Sequence, residues 1–158
     1  MLFRSEQVDA QLKFTPVLAD GAAIQPSDVA FYIEGSSRSI TTGERLALNF
    51  MQRMSGIATK THAIQTLIAD TQCKLLDTRK TTPCFRYFEK EAVRIGGGVN
   101  HRFGLYDMIL VKDNHIDFAG GVPQALRQVS EYLRTTGKTL KVEVEARTME
   151  EVKQIAES

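Results

Sequence analysis

The sequence contains no tryptophan, only three histidines and only two cysteines. No CxxC spacing and no Cys/His metal spacing surrounds Cys73 or Cys84, which excludes the common zinc motifs. We interpret both as reduced thiols of a cytoplasmic protein. A metal centre built on His101 and His115 is a weaker hypothesis, because neither HxH nor HExxH spacing occurs.

Long hydrophobic runs and a strong net charge are also missing. No apolar run approaches the ~18–20 residues of a transmembrane helix. Residues 1–12 have neither the basic region nor the apolar region of a signal peptide. The net charge is +1, which gives no indication of binding to nucleic acids or membranes. We therefore expect a cytoplasmic globular protein in which any basic site is a local concentration of charge.

The first third of the chain predicts short strands followed by helix. Turn-forming pairs interrupt the apolar pieces of residues 1–40, as in a small β-layer. Thr41 and Glu44 have the spacing of a capping box, so a helix is predicted to begin near Thr41. Ser55-Gly56 is predicted to break or bend this helix, and residues 58–69 form a second helical piece.

From residue 74 onward, predicted strands and helices alternate. Strands are predicted at 74–78, 107–111 and 140–145, and helices at 86–95, at 121–134 and from Thr148, which forms a capping box with Glu151. Such alternation indicates parallel strands joined by crossover helices, which is an α/β fold. Three strands are few for such a sheet, and the chain stops within a helix. We therefore expect a truncated protein that lacks later βα units.

Cations follow the predicted strands. In α/β folds, substrates bind at the carboxyl ends of the strands. The residues found there, or in a GGGVNHR segment that is predicted to be a flexible turn between the first two strands, are Arg79, Lys80, His101, Arg102, Lys112, His115 and Glu145. Arginine binds carboxylate or phosphate in a bidentate way, whereas lysine acts as a point charge. The pattern predicts one site for a small substrate that carries several negative charges.

Each of these features also has a purely structural interpretation. Arg79-Lys80 and His101-Arg102 would also suit solvated loops. Lys112 follows four apolar residues, so it needs an acidic partner or a ligand, and Glu145 could be that partner. Gly96–Gly98 would either end a helix or let backbone N–H groups approach an anion.

Six strings together resemble one enzyme family in order and spacing. The family is quinolinate phosphoribosyltransferase, also called nicotinate-nucleotide pyrophosphorylase (carboxylating), and the strings are ERLALN (44–49), SGIAT (55–59), DTRKTTP (77–83), GGGVNHR (96–102), LVKDNHI (110–116) and KVEVEA (141–146). The resemblance runs from about residue 14 to the end. One departure is Cys84, which stands where the family usually has a small residue.

The resemblance implies a pentosyltransferase of NAD biosynthesis. Quinolinate and phosphoribosyl pyrophosphate would give nicotinate mononucleotide, pyrophosphate and CO₂, with Mg²⁺ accompanying the sugar donor. It also implies roles for single residues. Arg79, His101, Arg102 and Lys112 would bind quinolinate, with His115 supporting Lys112. Lys80 would face the donor phosphates, Arg45 would reach into a neighbouring subunit, and Glu145 would lie near the ribose and metal. Lys80, Lys112 and Glu145 are the predicted catalytic residues.

The resemblance also implies an architecture. The expected fold is part of an open α/β (TIM-like) barrel, preceded by the remainder of a small α+β N-terminal domain. The expected divisions are a partial β-rich domain (1–43), a helical connection (44–70) and the first half of the barrel (71–158). A homodimer or higher homo-oligomer is expected. Two alternatives stay open: an incomplete chain that only binds a dicarboxylate or a partner chain, and a related phosphoribosyltransferase with another acceptor.

Overall fold

A computed structural model describes residues 8–158. Residues 1–7, which belong to the stretch that lacks signal-peptide features, lie outside the described part. The chain divides into two compact units, Met1–His101 and Arg102–Ser158, and each unit is described by itself. None of the helices within residues 8–158 is both long and apolar enough to span a membrane.

The first unit begins with a small antiparallel pair of strands. Strand β1 (Lys13–Pro16) pairs with strand β2 (Phe31–Glu34), in the register Lys13 to Glu34. The rings of Phe14 and Phe31 pack against each other across the pair in a tilted arrangement, with centroids 4.9 Å apart. The predicted short strands are therefore confirmed, and aromatic cross-strand packing stabilises them.

Helix α1 (Ser37–Leu67) is one continuous helix of 31 residues, preceded by Ser36 at the N-cap. The predicted start near Thr41 is wrong, because the helix already begins at Ser37. The Thr41 hydroxyl does not cap the helix and instead donates to the carbonyl of Ser37, one turn earlier. The predicted break at Ser55-Gly56 is also wrong. A glycine in a helix interior costs only about 1 kcal/mol, which tertiary packing of the same helix can outweigh.

Helix α1 packs against helix α2 (Arg86–Ile95), whose predicted bounds are confirmed. Their contact includes an aromatic cluster in which the Phe50 ring lies 4.7 Å from that of Phe85 and 4.6 Å from that of Phe88. Burial of such rings is worth a few kcal/mol, mainly from the hydrophobic effect. This packing explains why α1 continues through its glycine.

The predicted strand at 74–78 is reduced to a single parallel bridge between Leu76 and Val99. The Val99 N–H donates to the Leu75 carbonyl at 2.8 Å, and the Asp77 N–H donates to the Val99 carbonyl at 3.3 Å. Val99 lies in the GGGVNHR segment, which was predicted to be a flexible turn. The bridge instead fixes Val99 beside Leu76, so this part of the prediction is wrong.

The second unit contains a two-stranded parallel sheet. Strands β3 (Ile109–Val111) and β4 (Val142–Val144) pair in the register Ile109 to Val142. Both are shorter than the predicted strands but lie within them, and the predicted parallel pairing is confirmed. The hydrophobic core of this unit is formed by Val111, Ile116, Val122 and Ala125.

Three helices complete the second unit. Helix α3 (Asp113–Ala119) was not predicted, whereas helix α4 (Val122–Thr136) matches the predicted helix at 121–134. Helix α5 (Met149–Ala156) begins after Thr148, whose hydroxyl accepts the Glu151 N–H at 3.1 Å. The predicted cap of α5 is therefore confirmed. The other half of the predicted capping box differs, because the Glu151 carboxylate accepts the backbone N–H of Arg147 at 2.5 Å.

Candidate functional site

In the first unit, the loop after Leu76 carries two of the predicted cations. Arg79 is half-buried and Lys80 is exposed. Helix α2 holds this loop, since the Arg86 guanidinium donates to the Arg79 carbonyl at 3.4 Å and to the Thr81 hydroxyl at 3.2 Å. The Lys80 N–H donates to the Thr78 hydroxyl at 3.1 Å. The loop backbone is therefore ordered by its neighbours.

A second contact from α2 fixes the end of the same loop. The Glu89 carboxylate accepts the Thr82 N–H at 3.1 Å, the Thr82 hydroxyl at 2.8 Å and the Arg53 guanidinium at 2.7 Å. Burial raises the pKa of Glu89, but the hydrogen bonds from Arg53 and Thr82 outweigh it and lower that pKa below its ordinary value. The carboxylate thus stays ionised and ties helices α1 and α2 to the loop.

His101 lies at the end of the first unit and is half-buried. Its backbone N–H donates to the Asp77 carboxylate at 2.9 Å, and its carbonyl accepts the Lys90 ammonium at 3.0 Å. Lys90 and Asp77 themselves form a buried ion pair. The sequence reasoning missed this pair. Its signal was the position of Lys90 on α2, one helical turn before the apolar Val93.

The glycines before His101 have a structural role. Gly96 is the C-cap of α2, and a Cβ atom there would lie 2.4 Å from the Ala58 carbonyl oxygen. A Cβ atom on Gly98 would lie 2.8 Å from Cγ1 of Val93 and 2.9 Å from Cγ2 of Thr61. The structural interpretation of these two glycines is therefore supported: they end a helix and allow close approach of α1.

In the second unit, Lys112 and Glu145 lie directly after the two parallel strands. The Lys112 ammonium is 3.5 Å from a Glu145 carboxylate oxygen, and the side chains are 43% and 47% exposed, respectively. The Glu145 N–H donates to the Val111 carbonyl at 2.9 Å, which continues the ladder of the sheet. The structural interpretation, in which Glu145 is the acidic partner of Lys112, is thus confirmed. Solvent still reaches both groups, so a ligand can too.

Lys112 is also the N-cap residue of helix α3. Its backbone N–H donates to Nδ1 of His115 at 3.0 Å, across the first turn of the helix. The His115 side chain is exposed. The imidazole therefore holds the backbone from which the Lys112 ammonium extends, while the predicted role of His115 in substrate binding stays a prediction.

Arg102 is the first residue of the second unit and is half-buried. The loop that follows it is held by Asp107, whose carboxylate accepts the N–H groups of Phe103 at 2.6 Å and of Gly104 at 2.8 Å. Asp107 was predicted to open a strand, but it holds this loop. The loop before β3 is therefore ordered by a carboxylate, as the loop around Thr82 is by Glu89.

An arginine after β4 joins two helices of the second unit. The Arg147 guanidinium donates to Asp117 of α3 at 2.8 Å and to Glu151 of α5 at 2.8 Å. Hydrogen bonds from the Arg147 side chain and N–H lower the pKa of Glu151, and those to Asp117 and Glu151 raise the pKa of Arg147. The sequence reasoning did not assign this contact, since Asp117 is thirty residues from Arg147 in the chain.

Arg45, the surface grooves and a possible metal site remain to be placed. Arg45 is exposed on α1, and its predicted reach into a neighbouring subunit stays a prediction. Two open grooves, one on α4 and one on α1, are not lined by any of the predicted residues. Among residues 8–158, no three His, Cys, Asp or Glu side chains form a group that could hold a metal ion.

Comparison with known proteins identifies the chain's relatives. A family model for the quinolinate phosphoribosyl transferase C-terminal domain matches residues 57–158, and the model for the N-terminal domain matches residues 1–55. The chain belongs to the quinolinate phosphoribosyltransferase family. The join between the two models falls within α1, the helix that was predicted to be broken at Ser55-Gly56.

Members of this family from plants are close in sequence. The chain is 47% identical over 154 residues to the chloroplastic nicotinate-nucleotide pyrophosphorylase [carboxylating] of Arabidopsis thaliana, covering 96% of this chain and 43% of the relative. It is 46% identical over 151 residues to quinolinate phosphoribosyltransferase [decarboxylating] 1b of Nicotiana tabacum, covering 96% of this chain and 43% of the relative. The chain therefore spans less than half the length of these relatives.

A solved structure of the family supports the fold. The NadC structure from Streptococcus pyogenes matches with a TM-score of 0.88 and 43% sequence identity, covering 97% of this chain and 53% of that one. The predicted fold class is confirmed, namely part of an α/β barrel preceded by a small α+β N-terminal domain. The predicted family is likewise confirmed, whereas the exact domain boundaries and the roles of single residues stay predictions.

Proposed function

We propose that the protein transfers the phosphoribosyl group of phosphoribosyl pyrophosphate to quinolinate, with decarboxylation to nicotinate mononucleotide. Family membership supports this reaction, and so do the names of the plant relatives, a nicotinate-nucleotide pyrophosphorylase [carboxylating] and a quinolinate phosphoribosyltransferase [decarboxylating]. The observation that carries the proposal at the level of the site is Lys112. Its ammonium lies at the end of a parallel strand, beside an acid and half-open to solvent, where α/β enzymes bind substrates.

The proposed substrate carries two adjacent carboxylates. On the family resemblance, we assign their recognition to Arg79, His101, Arg102 and Lys112. Guanidinium groups suit bidentate contacts with a carboxylate, and the ammonium supplies a point charge. Lys80, exposed on its loop, is assigned to the phosphates of the sugar donor. These assignments follow the family resemblance residue by residue.

The chemistry requires positioning and charge stabilisation from the protein. The ring nitrogen of quinolinate attacks the anomeric carbon, forming a C–N bond as the C–O bond to pyrophosphate breaks. The ring nitrogen is then positively charged, and the electron pair left when CO₂ departs stays on the adjacent ring carbon, where this positive charge stabilises it until the carbon is protonated. A proton from solvent completes nicotinate mononucleotide. Lys80 and Lys112 stabilise negative charge on the phosphates and carboxylates, and no nucleophilic side chain is needed.

The described residues do not form a Mg²⁺ site by themselves. Glu145 is a single carboxylate that faces the Lys112 ammonium at 3.5 Å, and the described part of the chain offers no acidic cluster. Mg²⁺ is usually held by one or two carboxylates together with substrate phosphates and water. Magnesium is therefore proposed only as a companion of the sugar donor, and no step above passes through it.

A homodimer or higher homo-oligomer with Arg45 donated to a neighbouring subunit is proposed on the same family basis, as are the domain divisions at 43/44 and 70/71. A cytoplasmic location is proposed from the sequence alone. The relatives include chloroplastic and mitochondrial forms, so family membership does not choose among compartments.

The test is to incubate the purified chain with quinolinate and phosphoribosyl pyrophosphate and to quantify nicotinate mononucleotide and released CO₂ in equal amounts. Lys112→Met should abolish measurable product, whereas the control Lys153→Met, which removes an exposed lysine from α5, should not. Quinolinate binding without product would instead support the alternative that this chain only binds a dicarboxylate. Product from a different acceptor, with none from quinolinate, would support a related phosphoribosyltransferase.

Competition between ligands tests the dicarboxylate assignment separately. Calorimetric titration with quinolinate and with nicotinate, which lacks the second carboxylate, compares the two affinities directly. Quinolinate should bind at least about 10-fold more tightly, because a site built for two anions is left with an unpaired cation by nicotinate. Equal affinities would contradict the assignment of the cations to two carboxylates.

A further inference from the structure

The Asp77 carboxylate is surrounded by hydrogen-bond donors within the first unit. The Lys90 ammonium lies 2.5 Å from Oδ1, and the His101 N–H nitrogen lies 2.9 Å from the same oxygen. With its side-chain nitrogen facing its acceptors, Asn100 donates to Oδ2 at 2.8 Å. The side chains of Lys90 and Asp77 are only 3% and 8% exposed. This Asp77–Lys90 pair is a satisfied, buried polar cluster.

The pair holds the main chain of His101 from both sides. Asp77 accepts its N–H, and the Lys90 ammonium donates to its carbonyl at 3.0 Å. Asn100 adds a donation to the Lys90 carbonyl at 2.9 Å, which ties the segment before His101 to helix α2. Asp77 is also two residues before Arg79. One cluster therefore connects the backbone positions of two proposed quinolinate ligands.

Stability alone does not explain such a pair. Desolvation of two charges cancels much of their attraction, and apolar residues of similar volume are often as stable or more stable in the same place. The Lys90 ammonium is enclosed, and two of its three N–H groups donate to the Asp77 carboxylate and to the His101 carbonyl. Its contacts instead fix where His101 lies.

We infer that Lys90 is a positioning residue for quinolinate recognition. Through Asp77 it holds the start of the Arg79 loop and the His101 N–H, and it donates directly to the His101 carbonyl. This role requires no contact between Lys90 and the substrate. The inference rests on the proposed function, because only that function gives Arg79 and His101 a ligand. It goes beyond that function because it assigns the relative position of Arg79 and His101 to a buried lysine on α2.

Two variants test this role. Lys90→Met removes the ammonium, and Asp77→Leu with Lys90→Met replaces the whole pair with apolar groups, which avoids a buried unpaired carboxylate. Arg94→Met is the matched control, since it removes an ion pair with Glu91 from the exposed side of the same helix. Thermal unfolding first establishes that each variant melts cooperatively. Hydrogen exchange of the His101 N–H and calorimetric titrations with quinolinate and nicotinate follow.

The expected result is specific to dicarboxylate recognition. In both pair variants, the His101 N–H should exchange about 10-fold faster, and the preference for quinolinate over nicotinate should fall about 10-fold. General destabilisation would weaken both ligands equally and leave that preference unchanged. Arg94→Met should leave exchange and preference as they are in the parent chain.

Several outcomes would overturn the inference. A folded pair variant with the preference of Arg94→Met would remove the positioning role, even if its His101 N–H exchanged faster. If neither pair variant folds, the parent chain decides: saturating quinolinate should shift the NMR signals of the Lys90 Nζ and the Asp77 carboxyl carbon, and unchanged signals would refute the role. Absence of quinolinate binding by the parent chain would instead refute the proposed function, and this role with it.

Discussion

Substitution of Gly96 by alanine should destabilise the protein, although the backbone there suits alanine. Gly96 has φ −75° and ψ 1°, so a Cβ atom introduces no dihedral strain. The cost is steric. The new atom would lie 2.4 Å from the Ala58 carbonyl oxygen and 2.7 Å from Cβ of Thr61, both on helix α1. A backbone carbonyl inside a helix cannot rotate away, so α1 and α2 must separate.

The expected size follows from two opposing effects. Overpacking of a tight contact costs about 1–3 kcal/mol. The lower backbone entropy of alanine in the unfolded chain returns about 0.4–1 kcal/mol. The net loss in the free energy of unfolding is therefore expected to be about 1–2 kcal/mol, which corresponds to a decrease in Tm of ~2–8 °C for a chain of this size.

The control is another glycine of the same helix pair. Gly56 lies within α1, and a Cβ atom there would meet nothing within 4 Å. Gly56→Ala should therefore raise the free energy of unfolding by about 0.5–1 kcal/mol. Both variants are compared with the parent chain by urea unfolding followed by far-UV circular dichroism. Equal or greater stability of Gly96→Ala would refute the steric argument, whatever the control does.

Three further substitutions test two ionic contacts and one proposed substrate ligand. Glu89 has a lowered pKa, so its stabilisation is present above about pH 4.5 and is lost as pH falls through its folded pKa; Glu89→Gln should cost about 1.5–3 kcal/mol near neutral pH and lessen this acid dependence, measured by urea unfolding across pH. Arg147→Gln should raise the pKa of Glu151 toward its ordinary 4.5, followed by carboxyl-carbon NMR titration, and an unmoved pKa would remove Arg147 as its cause. Arg102→Ala should weaken quinolinate binding by ~2–4 kcal/mol in calorimetry, and a change below ~0.5 kcal/mol would exclude Arg102 as a ligand.

Elements with a strong local pattern could be predicted from the sequence. Helix α2 has apolar residues at helical spacing, and strands β3 and β4 are short apolar or alternating runs. The cap at Thr148 depends on Glu151, which is only three positions away. Helix α3 has seven residues, which is too short for periodicity to show. The break expected at Ser55-Gly56 failed because aromatic packing between α1 and α2 outweighs a local preference.

The predicted site divides in the same way. The position of Lys112 after a strand could be predicted, because a charge after an apolar run is recognisable in sequence, and Lys112 lies directly after β3. Arg79 and Lys80 follow only a single bridge, and the binding roles of all these cations stay predictions. The groups that hold the loops could not be found, because their partners are distant in the chain. Asp77 pairs with Lys90 thirteen residues later, and Arg53 pairs with Glu89 thirty-six residues later. Neither spacing has a local signature, so only the folded chain identifies these residues.

The hydrogen bond at the start of α3 determines the tautomer of His115. The backbone N–H of Lys112 can only donate, so Nδ1 of His115 must accept and carries no hydrogen. A neutral imidazole in this position therefore has its hydrogen on Nε2, which makes that edge of the ring a donor. A carboxylate that reached the exposed ring would receive a directional hydrogen bond without any added positive charge. The ring would then contribute orientation, while attraction comes from the arginines and lysines.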